Sequence, residues 1–368
     1  MLRKSLNLIV LVALSLFFSL PLSILSGCGG GQNNQGGGTP TPVSPVPAKQ
    51  VYVIQNNVYP LVGDVDATAS DAVLTFDATA NGTSSPQTTL QAPIGYYISA
   101  IATDSSGNLY IAGSNLKTSP ITSASIFVYP AGASGNAVPI RTIQGVSTLL
   151  NSSIFGMTVD STGELYVSLF QPGTGYGAIQ IFAPGASGNV APERSISGDS
   201  AQMVLPGSLA VNASKEIYVS DYSQGKIFVF AAGASGNAAP IRTITGSATG
   251  FAYIDPLALD SSGNLYVAAE DSRQKLGVIN VFPPTANGNA TPIRSIGGTR
   301  LGAASGVGGL QVDATGTIYA VSFAGPGNLQ SPQIVCFDSS ATGDVAPKSR
   351  AVSTAYTSSP AFGAIAIQ

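Results

Sequence analysis

Apolar positions along this chain fall into short runs, each closed off by a cluster of Gly, Asn, Ser, Asp or Pro. Short runs bounded by turn residues predict β-strands rather than helices. The runs repeat. A Tyr-bearing strand recurs as YVI at Tyr52, YIA at Tyr110, YVS at Tyr166, YVS at Tyr218, YVA at Tyr266 and YAV at Tyr319. A period of about 50 residues made of short strands predicts propeller blades, because one such unit cannot cover its own faces and must stack on copies of itself.

Four strands can be marked in a unit. Strand a reads GMTVD at 156–160, SLAVN at 208–212, PLALD at 256–260 and GLQVD at 309–313. A tight turn follows, DSSGN at 104–108 and 260–264, DSTGE at 160–164 and DATGT at 313–317. Its Asp can accept from backbone amides ahead of it, and its Gly takes the positive φ. Strand b carries the Tyr. Strand c reads IFVY, IQIF, IFVF, INVF or IVCF, and a stereotyped loop such as PAGASGNAVP leads to strand d, IRTI at 140–143 and 241–244. Strands b and c are nearly continuous apolar runs, as expected where both sheet faces are covered. The chain has no Trp, so Tyr and Phe supply the interblade bulk.

Six Tyr strands are separated by five a-type segments, and a sixth, FGAIAIQ at 362–368, ends the chain with no strand b after it. The first unit begins at Val51 with strand b and no strand a before it. The pattern therefore predicts an all-β, six-bladed propeller over 51–368 with four-stranded blades, closed by the C-terminal strand pairing beside Tyr52–Ile54. Closure leaves only short edges.

In a four-stranded blade the a–b and c–d loops share one face and the b–c and d–a loops the other. The a–b and c–d loops are near-copies, whereas the b–c loops at 56–70, 114–124, 169–177, 221–226, 270–277 and 323–332 differ sharply. Variable loops on a rigid scaffold are where binding residues usually sit. The candidate ligand surface is thus the b–c face, carrying Tyr59, Lys117, Phe170, Tyr176, Tyr222, Asp271, Arg273, Phe323 and Asn328. The alternative is that these loops are merely unconstrained.

Composition narrows the choices. Charged residues are 9% and apolar residues 44%, against the high charge and low hydrophobicity of disordered chains. The net charge of −3 gives no basic field for nucleic acid. There is no His, which removes a Ser-His-Asp triad, a Cys-His pair and any His-bearing zinc site. No cofactor or metal is indicated. The recurrent Asp104, Asp160, Asp260 and Asp313 have a turn role that explains them, and Asp64, Asp66 and Asp71 lack the Gly and Glu of an EF-hand loop. Cys336 stands where Val128, Val229 and Val281 stand in sister strands and reads as core. Arg141, Arg194, Arg242 and Arg294 recur on the outermost strand, where charge commonly blocks edge association.

The N-terminus reads as a targeting segment. Arg3 and Lys4 precede an apolar stretch from Leu8 to Leu25, then Ser26, Gly27 and Cys28. This resembles the bacterial lipoprotein signal. The resemblance implies that 1–27 is removed, that Cys28 is diacylated, and that the protein is held on a membrane outside the cytoplasm, at the outer membrane or cell surface. With Cys28 modified, Cys336 is the one remaining thiol and no intramolecular disulfide forms. An ordinary signal peptide or short anchor is the alternative. Residues 28–50, Gly/Asn/Gln-rich and then Pro-rich, read as a tether reaching at most roughly 70 Å.

Tyr218-Val219-Ser220-Asp221, followed by Lys226-Ile227-Phe228-Val229-Phe230, resembles the NHL-repeat and SMP-30-like six-bladed propellers. The likeness spans all six units and specifies fold more than activity. Gln224-Gly225-Lys226 stands where Asn-His-Arg is typical of NHL repeats. The gluconolactonase branch implies metal-dependent lactone or ester hydrolysis, through oxygen ligands entering with the inner strands. Here the matching positions are Ser359-Pro360, Pro206 and Asp255-Pro256, of which Asp255 alone offers a carboxylate. The expected role is non-catalytic binding of an envelope or extracellular protein or glycan by a monomer. Hydrolysis, or a passive surface role, is the alternative.

Overall fold

The computed structural model describes residues 49–55, 71–115, 123–171, 173–271, 277–301, 306–324, 331–353 and 364–368. Cys28, the signal segment, residues 29–48 of the tether, and Asp64 and Asp66 lie outside them. Six antiparallel sheets follow one another. The second blade runs Tyr96–Thr103, Leu109–Asn115, Ala124–Tyr129 and Arg141–Ile143 from inner to outer strand. The third is Ile154–Val159, Leu165–Phe170, Gly177–Phe182 and Arg194–Ser197. The fourth is Pro206–Val211, Ile217–Asp221, Lys226–Phe230 and Arg242–Ile244. Phe251–Leu259, Leu265–Asp271, Gly277–Phe282 and Arg294–Gly297 make the fifth, and Val307–Val312, Ile318–Ala324, Ser331–Phe337 and Ser349–Ser353 the sixth.

The first blade takes its inner strand from the chain's far end. Ile365–Ile367 pairs antiparallel with Gln50–Gln55, setting Ile367 against Val51, Ala366 against Tyr52 and Ile365 against Val53. Ala72–Asp77 and Thr88–Gln91 complete it. The ring is a six-bladed propeller closed as the repeat count implies.

Strand c is buried along its whole length in the second and third blades. Its side chains enter apolar clusters that sit between blades. Tyr166, Ile179 and Ile181 of the third blade meet Val219, Phe228 and Phe230 of the fourth. Each such large side chain contributes roughly 1.5–3 kcal/mol by leaving water. Cys336 lies in the cluster between the sixth and first blades, 4% exposed, and burial pushes its thiol pKa up. It packs as a small apolar residue.

The stereotyped loops have a job that their repetition did not disclose. Each c–d loop climbs the outer edge of the preceding blade and pairs with it in parallel. Ile143 bridges Gly188, Ile196 bridges Gly236, Ile244 bridges Gly288, Ile296 bridges Gly343 and Leu90 bridges Gly135. Paired backbone bonds hold each contact, such as Gly236 N–H to Ser195 O at 2.6 Å and Ser197 N–H to Gly236 O at 3.0 Å. At the closing seam the bridge widens into a short fifth strand, Gly82–Ser84, alongside Ala351–Ser353. Outer edges are thereby covered.

The next loop residue extends the contact. Oδ1 of Asn189, Asn237 and Asn289 accepts from the N–H of Ser147, Ser200 and Ala248 at 2.7–2.8 Å. Those amides belong to 3-10 turns Val146–Thr148, Asp199–Ala201 and Ser247–Thr249, which follow strand d. The glycine before each turn has φ of 106–118° and leaves no room for a Cβ beside the asparagine.

The strand-d arginines are not exposed edge charges, because the edge is covered. They are half-buried. Arg141, Arg242 and Arg294 donate to the hydroxyls of Tyr110, Tyr218 and Tyr266 at 2.7–3.0 Å and lie over those rings. Arg194 pairs with Glu164 at 3.1 Å. The turn aspartates are structural too. Asp104 Oδ1 accepts from Ser106 and Asn108 N–H, and Asp260 Oδ1 from Ser262 and Asn264 N–H. In the sixth blade Ser349 pairs with Cys336, where Arg pairs with Val in sister blades. Lys49 supplies the cation instead, bonding Asp313 and lying over the Tyr319 ring. Burial raises the Asp313 pKa, but the bonds from Lys49, Thr315 and Thr317 outweigh it and hold it at about 2.

Candidate functional site

Of the residues assigned to the b–c face, Tyr59, Lys117, Arg273 and Asn328 lie outside the described residues, as do the side chains of Asp271 and Phe323. Phe170, Tyr176 and Tyr222 remain. Phe170 ends strand b of the third blade and is half-buried, its carbonyl accepting from Ser152 Oγ. Tyr176 closes the same loop, and the Asp199 carboxylate near its phenol raises its pKa. Asp199 opens the 3-10 turn that follows the third blade. Tyr222 is 41% exposed and stands in the b–c loop of the fourth blade. Phe170 thus meets the linker before its own blade, and Tyr176 approaches the turn after it.

The fourth blade's b–c loop is described throughout, and its geometry is set by Asp221. That carboxylate is fully buried. Its Oδ2 accepts from the N–H groups of Val204 and Leu205, at 2.6 and 3.1 Å, and from Gln224 Nε2 at 3.1 Å. Its Oδ1 accepts from Ser223 Oγ at 2.7 Å and Gln224 N–H at 3.1 Å. A buried carboxylate is tolerated when its lone pairs are met in this way. The loop is therefore tied to the preceding linker, and Gly225, at φ 59°, completes the turn. Tyr222 projects from a fixed base.

Beside it runs a groove of about 400 Å³, lined by Tyr222, Ser223, Gln224, Gly225, Gly246, Ser247 and Phe251. One wall is the b–c loop and the other is the linker into the fifth blade. Phe251 is fixed by an edge-on contact with Phe282, centroids 5.5 Å apart. No lining residue carries a formal charge. Lys226 is half-buried with its ammonium on Gln224 Oε1 at 3.1 Å. Ser247 and Phe251 were not legible as site residues, since one lies in a d–a linker and the other opens the fifth blade's inner strand, and only the interblade packing brings them to Tyr222. Asp221 was visible as part of the strand-b pattern, but not as the loop's support.

Among the described residues no three His, Cys, Asp or Glu side chains gather in a way that could hold a metal ion. The Asp255 side chain and Ser359-Pro360 lie outside the described residues, while Pro206 is buried at the start of its strand.

No protein-family model matches the chain, and no curated protein matches it. Among solved structures, a protein of unknown function from Bacteroides caccae is similar over 86% of this chain and 98% of its own, with 10% identity and a TM-score of 0.56. A protein from Lactobacillus plantarum is similar over 83% of each chain, at 12% identity and a TM-score of 0.45. A catalytically inactive virginiamycin B lyase from Staphylococcus aureus, solved with quinupristin, matches over 68% of this chain and 71% of its own, at 14% identity and a TM-score of 0.39. Likeness at this level of identity concerns the fold alone.

Proposed function

We propose that the chain is a lipid-anchored, extracytoplasmic propeller of the NHL-repeat and SMP-30-like kind that binds an envelope or extracellular protein or glycan through its b–c face. The observation that carries the reading is the division of labour between the loops. The c–d loops are spent on bridging and capping the preceding blade. The b–c loops diverge, and the one described in full presents an exposed Tyr beside a groove on a rigid base. Tyr, Ser, Gly and Asn, which recur in these loops, provide rigid aromatic contact and adaptable hydrogen bonding, as in antibody paratopes.

The tether fits the same reading. Strand b of the first blade starts at Gln50, on the a–b and c–d side, so the preceding chain leaves from the face opposite the b–c loops. A Cys28 anchor would leave the b–c face unobstructed, and two acyl chains suffice for stable attachment. Metabolic labelling with a fatty acid tests the anchor, which requires label on the wild type and none on Cys28→Ser. Capture from envelope extracts and glycan arrays, with alanine substitutions on each face, tests the binding surface. Loss of capture confined to b–c substitutions supports it. Loss confined to c–d substitutions in folded protein overturns it.

A further inference from the structure

We infer that the groove between the b–c loop of the fourth blade and the linker into the fifth is a subsite for a neutral saccharide. The inference rests on the b–c face being the binding surface and narrows its ligand. Three observations carry it.

The first is chemical. The lining offers two aromatic rings, Tyr222 and Phe251, the hydroxyl of Ser247, two glycines, and the acceptor capacity left on Ser223 Oγ and Gln224 Oε1, whose donors are spent on Asp221 and Gln202. Both glycines and both serines face solvent or sit half-exposed at the groove, and Gly246 and Ser247 are exposed. An aromatic face with neutral hydrogen-bonding groups around it suits a sugar ring, whose C–H face stacks and whose hydroxyls both donate and accept. A phosphate or carboxylate would need a cation or convergent amides. Asp221 is met by five hydrogen bonds, and Lys226 lies outside the lining with its ammonium on Gln224 Oε1.

The second is size. About 400 Å³ falls within the range that holds a small ligand. The groove's seven lining residues are far fewer than the roughly 20–30 residues per side that a stable protein interface engages. A sugar fills this groove, whereas a protein would have to engage much of the remaining face as well.

The third is rigidity. The Asp221 network ties the loop to Val204 and Leu205, and Gln224 Nε2 also donates to Gln202 O at 2.6 Å. Phe251 is held against Phe282. Both walls are set before a ligand arrives, which lowers the ordering cost that weakens sugar binding.

The test uses the purified full chain in detergent, titrated with neutral gluco-, galacto-, manno- and xylo-oligosaccharides and followed by calorimetry and saturation-transfer NMR. At least one should bind saturably, with affinity unchanged between 50 mM and 500 mM salt, since no ion pair is involved. Tyr222→Ala should weaken it tenfold or more, and Ser247→Trp, which fills the groove, should abolish it. Thermal melts confirm that both variants fold. Failure of all four sugar series to bind folded wild type overturns the inference and leaves the binding face open to a protein partner. A sugar lost on Phe170→Ala but unaffected by Tyr222→Ala and Ser247→Trp also overturns it, while keeping the face. A sugar indifferent to every b–c substitution overturns both readings.

Discussion

The two faces of the disc are made by the same four-stranded unit, yet one repeats and the other varies. On the a–b and c–d side, Gly188, Gly236, Gly288 and Gly343 make one contact over and over, each with the strand d of the blade before. Asn189, Asn237 and Asn289 then cap the same turn. A loop that must fit a neighbour of fixed shape has little freedom to change. On the b–c side the d–a turns receive those caps, but the described b–c loops share no contact of this kind. The third blade sets Tyr176 against Asp199, while the fourth buries Asp221 and lifts Tyr222 into solvent. Uniformity marks what the ring needs, and variety marks what the ring leaves free.

Both faces exist only while the ring is shut, so the largest effect should come from opening it. Removing residues 361–368 deletes the strand paired with Val51–Val53 and exposes an inner edge. The truncated chain should aggregate, or melt broadly and far below the full-length protein in calorimetry. A soluble truncation melting cooperatively at the full-length temperature would refute closure as the source of stability.

Next comes the belt. Gly145 has φ 118°, and a Cβ there would stand 2.4 Å from Asn189 Oδ1. Gly145→Ala combines backbone strain with a broken cap and should cost about 2–3 kcal/mol, read as a drop of about 5 °C in Tm. If the melting temperature holds, the cap is ornamental and the repeated loops need another explanation.

The closing seam should respond to acid. Asp313 has its pKa lowered to about 2 from 3.8. A carboxylate depressed by folding contributes stability above its unfolded value, and that contribution is lost as pH falls from about 4 to about 2. Lys49→Met should therefore lower stability at pH 7 by about 1 kcal/mol, after allowing for solvent screening. It should also flatten the loss below pH 4. Urea midpoints at pH 7, 4 and 2.5 measure both.

The smallest effect belongs to the other face. Tyr222→Ala removes an exposed ring and should move stability by less than about 0.5 kcal/mol. A larger loss in urea melts would mean that Tyr222 supports the fold and that the faces are less distinct than drawn.

Much of the architecture was legible because strand period and turn chemistry are local. The Tyr strands, the Asp-led turns and the unpaired FGAIAIQ segment were enough for six blades and their closure. What joins blades was not legible. Gly188 and Ile143 are far apart in sequence, and their meeting depends on how a loop climbs a neighbouring edge. A signal was present: four of the strand-d segments are followed by a Gly, at 145, 198, 246 and 298, and five of the c–d loops hold Gly-Asn or Gly-Asp. Its regularity pointed to structure without showing the partner. Lys49 reads as tether in the sequence, although it completes the sixth blade where Ser349 replaces Arg. Loop variability points to the b–c residues but not to Ser247 of the linker or Phe251 of the next inner strand, which face them.

The division of labour can be decided by one paired experiment on folded protein, with Tm and ligand capture recorded for Tyr222→Ala and Asn237→Ala together. Tyr222→Ala should lose capture at an unchanged Tm, and Asn237→Ala should lower Tm while capturing normally below its transition. The crossed outcome, capture lost with Asn237 and stability lost with Tyr222, would mean that the faces have been assigned the wrong way round.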